Sequence, residues 1–117
     1  MPGAQQSILI VDDEAQIRMI LRISLAAQGY RVLEAGSGRA GLALAAEARP
    51  DLLVLDLGLP DLDGREVLAE LRRWSAMPVL VLSVRAGDSE KVLCLDGGAN
   101  DYVTKPFSLD EIIARIK

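Results

Sequence analysis

Two hydrophobic rhythms alternate along the chain. Apolar runs of strand length occupy 8–12, 30–34, 52–56, 78–83 and 101–104. The first, third and fourth are continuous rather than alternating, as expected of parallel strands covered on both faces. Between them apolar residues recur at helical spacing. Ile17, Ile20, Leu21, Ser24 and Leu25 mark one helix, stopped by Gln28-Gly29. A short Ala-rich helix is predicted over 41–48, ending before Pro50, and Val67, Leu68, Leu71 and Trp74 mark a third after Gly64. The fourth, 89–96, is the least regular and runs into Gly97-Gly98. Ser108-Leu109-Asp110-Glu111 reads as a capping box opening a fifth, whose apolar face is Leu109, Ile112, Ile113 and Ile116. This βα alternation predicts an α/β doubly wound fold, with a parallel sheet, right-handed crossovers and helices on both faces.

Composition narrows the picture. The 117 residues suffice for one domain with one core. Half are apolar but only 3% aromatic, so that core is aliphatic. A net charge of −4 argues against this segment gripping nucleic acid phosphates itself. There is no histidine, which excludes histidine-dependent nucleophiles, a histidine zinc site and a phosphohistidine carried by this chain. Cys94 is the single cysteine, so no internal disulfide forms and a reducing compartment is the simplest reading. The opening residues lack a basic stretch, and the apolar run after them stops at Asp12, too soon for a signal peptide or membrane span. A cytoplasmic location is expected. The apolar pattern of the last helix still runs at Lys117, so the chain is expected to continue in a longer protein.

The chemistry lies where the runs end. Asp12 and Asp13 close the first, Asp56 the third, Ser83 the fourth, and Lys105-Pro106 follows the fifth. In open α/β sheets, ligands bind outside the carboxyl ends of the strands, at the switch in strand order. If the first and third strands are neighbours, three carboxylates converge there. At about 4 Å each pair repels by ~1 kcal/mol in water and by ~4 kcal/mol at an effective dielectric of about 20. A divalent cation with oxygen ligands is the natural counter-charge. Each residue alone has a plainer explanation: Asp12-Asp13-Glu14 as a helix cap and acidic first turn, Ser83 as a strand-end hydroxyl, Lys105 as a solvated amine.

A competing motif must be answered. Gly36-Ser37-Gly38-Arg39-Ala40-Gly41 is a literal GxGxxG between a strand and a helix, with Asp56 twenty residues after Gly36. On pattern it is a dinucleotide fingerprint. Against it, the following helix is short, Asp12, Asp13, Ser83 and Lys105 are left without a role, and the chain lacks length for a substrate half. The plainer reading is a glycine-containing loop entering an Ala-rich helix.

The spaced set Asp12-Asp13, Asp56, Ser83 and Lys105-Pro106, with Tyr102 three before the lysine, resembles the receiver domain of two-component response regulators along essentially the whole chain. The stretches from Asp56 to Asp61 and from Leu71 to Val79 resemble the OmpR-like group and, within it, Kdp-type regulators of potassium-uptake genes. The resemblance implies a flavodoxin-like (βα)5 sandwich with strand order 2-1-3-4-5. It implies Asp56 as acceptor of a phosphoryl group from a sensor histidine kinase, and Mg²⁺ held by Asp13, Asp56 and the Gly58 carbonyl, with Asp12 reaching it through water. Lys105 and Ser83 would take phosphoryl oxygens, Ser83 and Tyr102 would form the switch, and the Lys105-Pro106 bond would be cis. It further implies a homodimer on phosphorylation through Lys91 with Glu111, Asp96 with Lys117, and Asp101 with Arg115. DNA binding would belong to a C-terminal domain absent from this chain. Val84 departs from the small residue usual after the serine and is expected to narrow access to the site. Three alternatives are a stand-alone receiver, a dinucleotide-binding protein and a nucleotide- or phosphate-processing α/β protein, whether a flavodoxin-like cofactor binder or an aspartyl-phosphate hydrolase. The hydrolase would want an acid two residues after its nucleophile, where Gly58 stands.

Overall fold

The computed structural model describes residues 5–85 and 87–116. Five strands, β1 (Ser7–Val11), β2 (Arg31–Ala35), β3 (Leu52–Asp56), β4 (Val79–Ser83) and β5 (Asp101–Thr104), form one parallel sheet in the order β2-β1-β3-β4-β5. They alternate with α1 (Ala15–Ala27), α2 (Gly38–Ala48), α3 (Gly64–Arg72), α4 (Asp88–Asp96) and α5 (Leu109–Ile116). The order reverses between β1 and β3, so the carboxyl ends of these two strands border the crevice.

The continuous apolar runs resolve into two faces. Ile8, Ile10, Val54, Leu80, Leu82 and Val103 pack with Leu21 and Leu25 of α1 and Ile112 of α5. Their alternates Leu9, Val11, Leu53, Leu55, Val79 and Val81 pack with Val67, Leu68 and Leu71 of α3 and Cys94 of α4. The period of two is thus present within runs that read as unbroken, because both faces are buried. The sole aromatic of the inner sheet, Tyr102, belongs to the second set.

Two glycines set distances that matter. A Cβ on Gly41 would stand 2.7 Å from the Val11 side chain, so its absence lets α2 close onto β1. A Cβ on Gly64 would lie 2.6 Å from the Asp56 carbonyl oxygen, so α3 begins against the end of β3.

Element boundaries depart from expectation by one residue at β1, β2, β4 and α4, and by more in two places. α2 starts at Gly38 rather than at residue 41, because Ser37 caps Ala40 N at 3.2 Å and the Asp61 carboxylate takes the Gly38 and Arg39 amides at 2.8 and 2.9 Å. α3 ends at Arg72, so Trp74 is not a helix-face residue. Arg73 and Trp74 bond back three residues, a tightening last turn, and leave the indole 49% exposed.

Candidate phosphoacceptor pocket

At the carboxyl edge of the sheet, Asp13, Glu14, Asp56, Gly58, Ser83 and Lys105 share a hollow of about 320 Å³ with Val84 and Arg85. A larger hollow, about 460 Å³, lies at the opposite edge beside Arg49, Asp51, Trp74 and Met77, but among the described residues no cluster of acids converges on it. Chemistry rather than size selects the site.

Asp12 and Asp56 are 1% and 7% exposed, while Asp13 is exposed. One carboxylate oxygen from each of the three lies within 4.8 Å of the others. Burial drives the Asp56 carboxyl above its ordinary value, the Asp12 charge pushes it further, and Lys105 and the Gly58 amide offset part of this. The amine of Lys105 stands 3.1 Å from Asp12 Oδ2, 3.4 Å from Asp56 Oδ1 and 3.7 Å from Glu14 Oε1. Burial opposes its charge, yet the hydrogen bond and charge of Asp12, then of Asp56, hold it above its ordinary value. One ammonium among these carboxylates leaves an excess of negative charge on hard oxygen donors. Such a set fits a small divalent cation of the magnesium type.

The plainer reading of the acidic triplet fails. α1 begins at Ala15 with no acid in its first turn and no side-chain cap from Glu14. Asp12 instead accepts Glu14 N at 2.9 Å and faces the amine, and its carbonyl accepts Arg18 Nη1 at 2.7 Å. The dinucleotide reading fails as well. At the start of α2, where a pyrophosphate would sit, the Asp61 carboxylate already occupies the amides, and these two bonds hold it below its ordinary value.

Comparison with known proteins agrees with this geometry. Residues 8–117 match the response regulator receiver domain. The chain belongs to that family. This receiver is 53% identical over 110 residues to the transcriptional regulatory protein KdpE of Mycobacterium tuberculosis, covering 94% of this chain and 49% of that protein. It is 51% identical over 111 residues to the KDP operon transcriptional regulatory protein KdpE of Escherichia coli, covering 95% and 49%. The receiver thus spans about half the length of these relatives. Among solved structures, the Francisella response regulator 1452 receiver domain superposes with a TM-score of 0.92 at 33% identity, covering 96% and 93% of the two chains. The beryllofluoride-activated N-terminal receiver domain of Klebsiella pneumoniae RstA superposes at 0.90 with 27% identity, covering 95% of each.

The receiver's remaining expected residues can be placed. Ser83 is buried at the end of β4, and its Oγ accepts Arg85 N at 3.0 Å. Val84 is 74% exposed on the pocket rim. Gly58 lies on the rim too, paired with Asp63 in an isolated bridge. Lys105-Pro106 is cis. Tyr102 is 5% exposed and donates its hydroxyl to the Arg85 carbonyl. On the α4–β5–α5 face, Lys91 and Asp96 are exposed. Arg115 is engaged within the chain, 2.8 Å from Asp101 and 3.4 Å from Glu111. The capping box of α5 is half made: Ser108 Oγ accepts Glu111 N at 3.4 Å, but the Glu111 carboxylate turns to Arg115. Lys117 lies outside the described residues. Arg85, Asp63 and Asp61 were missed, since an arginine two residues after the serine and acids in a turn carry no signal of their partners.

Proposed function

We propose that Asp56 accepts a phosphoryl group from a phosphohistidine of a sensor histidine kinase, and that the resulting acyl phosphate switches the output of a longer transcriptional regulator. The observation that carries this reading is the Lys105 amine 3.1 and 3.4 Å from Asp12 and Asp56, in a pocket that also holds Asp13 and Ser83.

Asp56 attacks as the carboxylate and needs no base. An Asp56 oxygen bonds to phosphorus as the phosphorus–imidazole nitrogen bond breaks, and the imidazole leaves with a proton from water. The difficulty is bringing one anion to another, which positioning and neutralisation must solve. Asp13, Asp56 and the Gly58 carbonyl would hold Mg²⁺ directly and Asp12 through water. The ion would supply positive charge to the phosphoryl oxygens and keep part of its water shell. Lys105 trades one carboxylate contact for a phosphoryl oxygen. Ser83 accepts one hydrogen bond already, and its own proton is free to turn toward a second oxygen. Val84, standing on the rim, narrows the approach of donor and water.

Output is proposed to run through the α4–β5–α5 face as a homodimer. Exposed Val92, Leu93 and Leu95 on α4 support a face that can be covered. Lys91, Asp96, Asp101, Glu111, Arg115 and Lys117 would supply its charges, Arg115 first leaving or sharing its contacts within the chain. DNA binding would lie in the further half that the relatives possess.

Intact-mass measurement after Mg²⁺ and acetyl phosphate tests the reading. Wild type gains one phosphoryl group and Asp56→Asn gains none. Equal labelling of both proteins would refute it.

A further inference from the structure

Arg85 joins more of the pocket's surroundings than any residue the sequence singled out. Its amide donates to Ser83 Oγ at 3.0 Å, and its carbonyl accepts the Tyr102 hydroxyl. The backbone of one residue therefore touches both side chains assigned to the switch. Its guanidinium Nη2 donates to Asp63 Oδ2 at 3.0 Å, while Nη1 lies 3.9 Å from Glu90 Oε2, a buried oxygen with no hydrogen-bond partner among the described residues.

Asp63 is itself held. Its other oxygen caps α3 through Arg65 N at 2.9 Å, its backbone bridges to Gly58, and Gly64 N bonds Leu57 O at 2.9 Å. Leu57 and Gly58 are the two residues that follow Asp56. A continuous series of bonds therefore runs from the loop behind the phosphoacceptor, through the Asp63 carboxylate, to the residue whose amide and carbonyl hold Ser83 and Tyr102. A half-exposed ion pair is ordinarily worth little, largely because both side chains must be ordered to form it. Here that cost is reduced, since Asp63 is fixed by its cap and bridge and Arg85 by its own backbone bonds.

Building on the phosphoacceptor reading, we infer that Arg85 is a positioning residue: its ion pair with Asp63 couples the loop after Asp56 to the Ser83–Tyr102 pair. The pair makes the arrangement of Ser83 that receives a phosphoryl oxygen, and the inward Tyr102, one cooperative unit. Glu90, at the first turn of α4, is the second carboxylate within the guanidinium's range, which carries the same coupling to α4.

The test uses beryllofluoride with Mg²⁺ as the phosphoryl mimic and fluorine NMR of protein labelled with 3-fluorotyrosine. The two tyrosines are assigned with Tyr30→Phe. Asp63→Asn keeps the α3 cap, because asparagine caps as well as aspartate, and Arg85→Gln removes the charge and the guanidinium contacts while keeping the backbone bonds to Ser83 and Tyr102. Each is expected to weaken the apparent beryllofluoride affinity read at Tyr102 by about fivefold, the upper range for a partly exposed pair. The double variant should be no weaker than either single one, and Arg85→Lys should recover most of the loss. Wild-type affinities in both variants, or losses that multiply in the double variant, would overturn the coupling. Failure of wild type to take up either beryllofluoride or the phosphoryl group of acetyl phosphate would instead overturn the phosphoacceptor reading, and the inference with it.

Discussion

The amino end of α2 and the Asp56 pocket both set carboxylates against positive partners at the same edge of the sheet, but only one remains open. At α2 the donors are the Gly38 and Arg39 amides, and Asp61 satisfies them from within the chain. In the pocket a single amine serves Asp12, Asp56 and Glu14, while Asp13 faces solvent. The first arrangement is complete and leaves nothing for a ligand to contribute. The second carries uncompensated negative charge, which a cation can relieve. A glycine motif at a helix start therefore says less about binding than whether the local donors are already matched and whether a ligand has room to reach them.

The sharpest way to break this contrast is to remove the amine. Lys105→Met in a chelator should destabilise the domain by about 3 kcal/mol at pH 8, the range for stripping one partner from a buried ion pair. Uptake of a proton by the acids limits the loss. Urea unfolding measures it, and Mg²⁺ should restore more stability to the variant than to wild type. In wild type the amine's own contribution is fully present below its ordinary 10.5 and fades only as pH rises through its raised value. A variant as stable as wild type without metal would mean that the carboxylates are not in effective contact.

The next effect has the opposite sign. Because the Asp56 carboxyl is held above its ordinary 3.8, the folded state keeps that proton more tightly than the unfolded chain. Its neutral form therefore favours folding at low pH, and this benefit is lost as pH rises through the raised value. Asp56→Asn should stabilise the metal-free domain by about 1 kcal/mol at neutral pH, a typical gain from relieving a strained functional site. The gain should shrink toward zero as pH falls below 3.8. Unfolding curves across that interval test it, and a pH-independent gain would point to packing rather than charge.

How much of this was legible follows from what kind of interaction fixes each part. The strands were readable because burial on both faces forces unbroken apolar runs, and the residues ending them had to meet at one edge once the sheet was parallel. Asp12, Asp56 and Lys105 could be brought together on that ground alone. Arg85 and Asp63 could not, since their link is a long side chain crossing between two loops and leaves no periodicity behind. The start of α2 was misplaced for the same reason: Asp61, far away in sequence, extends the helix by supplying a cap. Trp74 was misassigned because its spacing from Leu71 suits both a continuing helix and the tight turn that ends one.

Asp61 gives the gentlest test and returns to the contrast itself. The Arg39 and Gly38 amides, with the Leu62 amide at 2.9 Å, hold its carboxyl below the ordinary 3.8, so its contribution is present above that value and lost as pH falls through the lowered one. Asp61→Ala removes the carboxylate but leaves the Ser37 cap, so the melting temperature should drop only slightly at neutral pH and not at all in strong acid. It also vacates the helix start, the one place where the glycine motif could be made to bind. Titration with NADH, read by quenching of Trp74 fluorescence, should still show no saturation in the variant. The 11-residue helix would then offer amides and dipole, yet Gly38 would remain packed against Val67 and Leu62, with no room for a pyrophosphate to approach the backbone. Saturable binding by the variant alone would mean that the Asp61 carboxylate, rather than packing, separates this loop from a dinucleotide site.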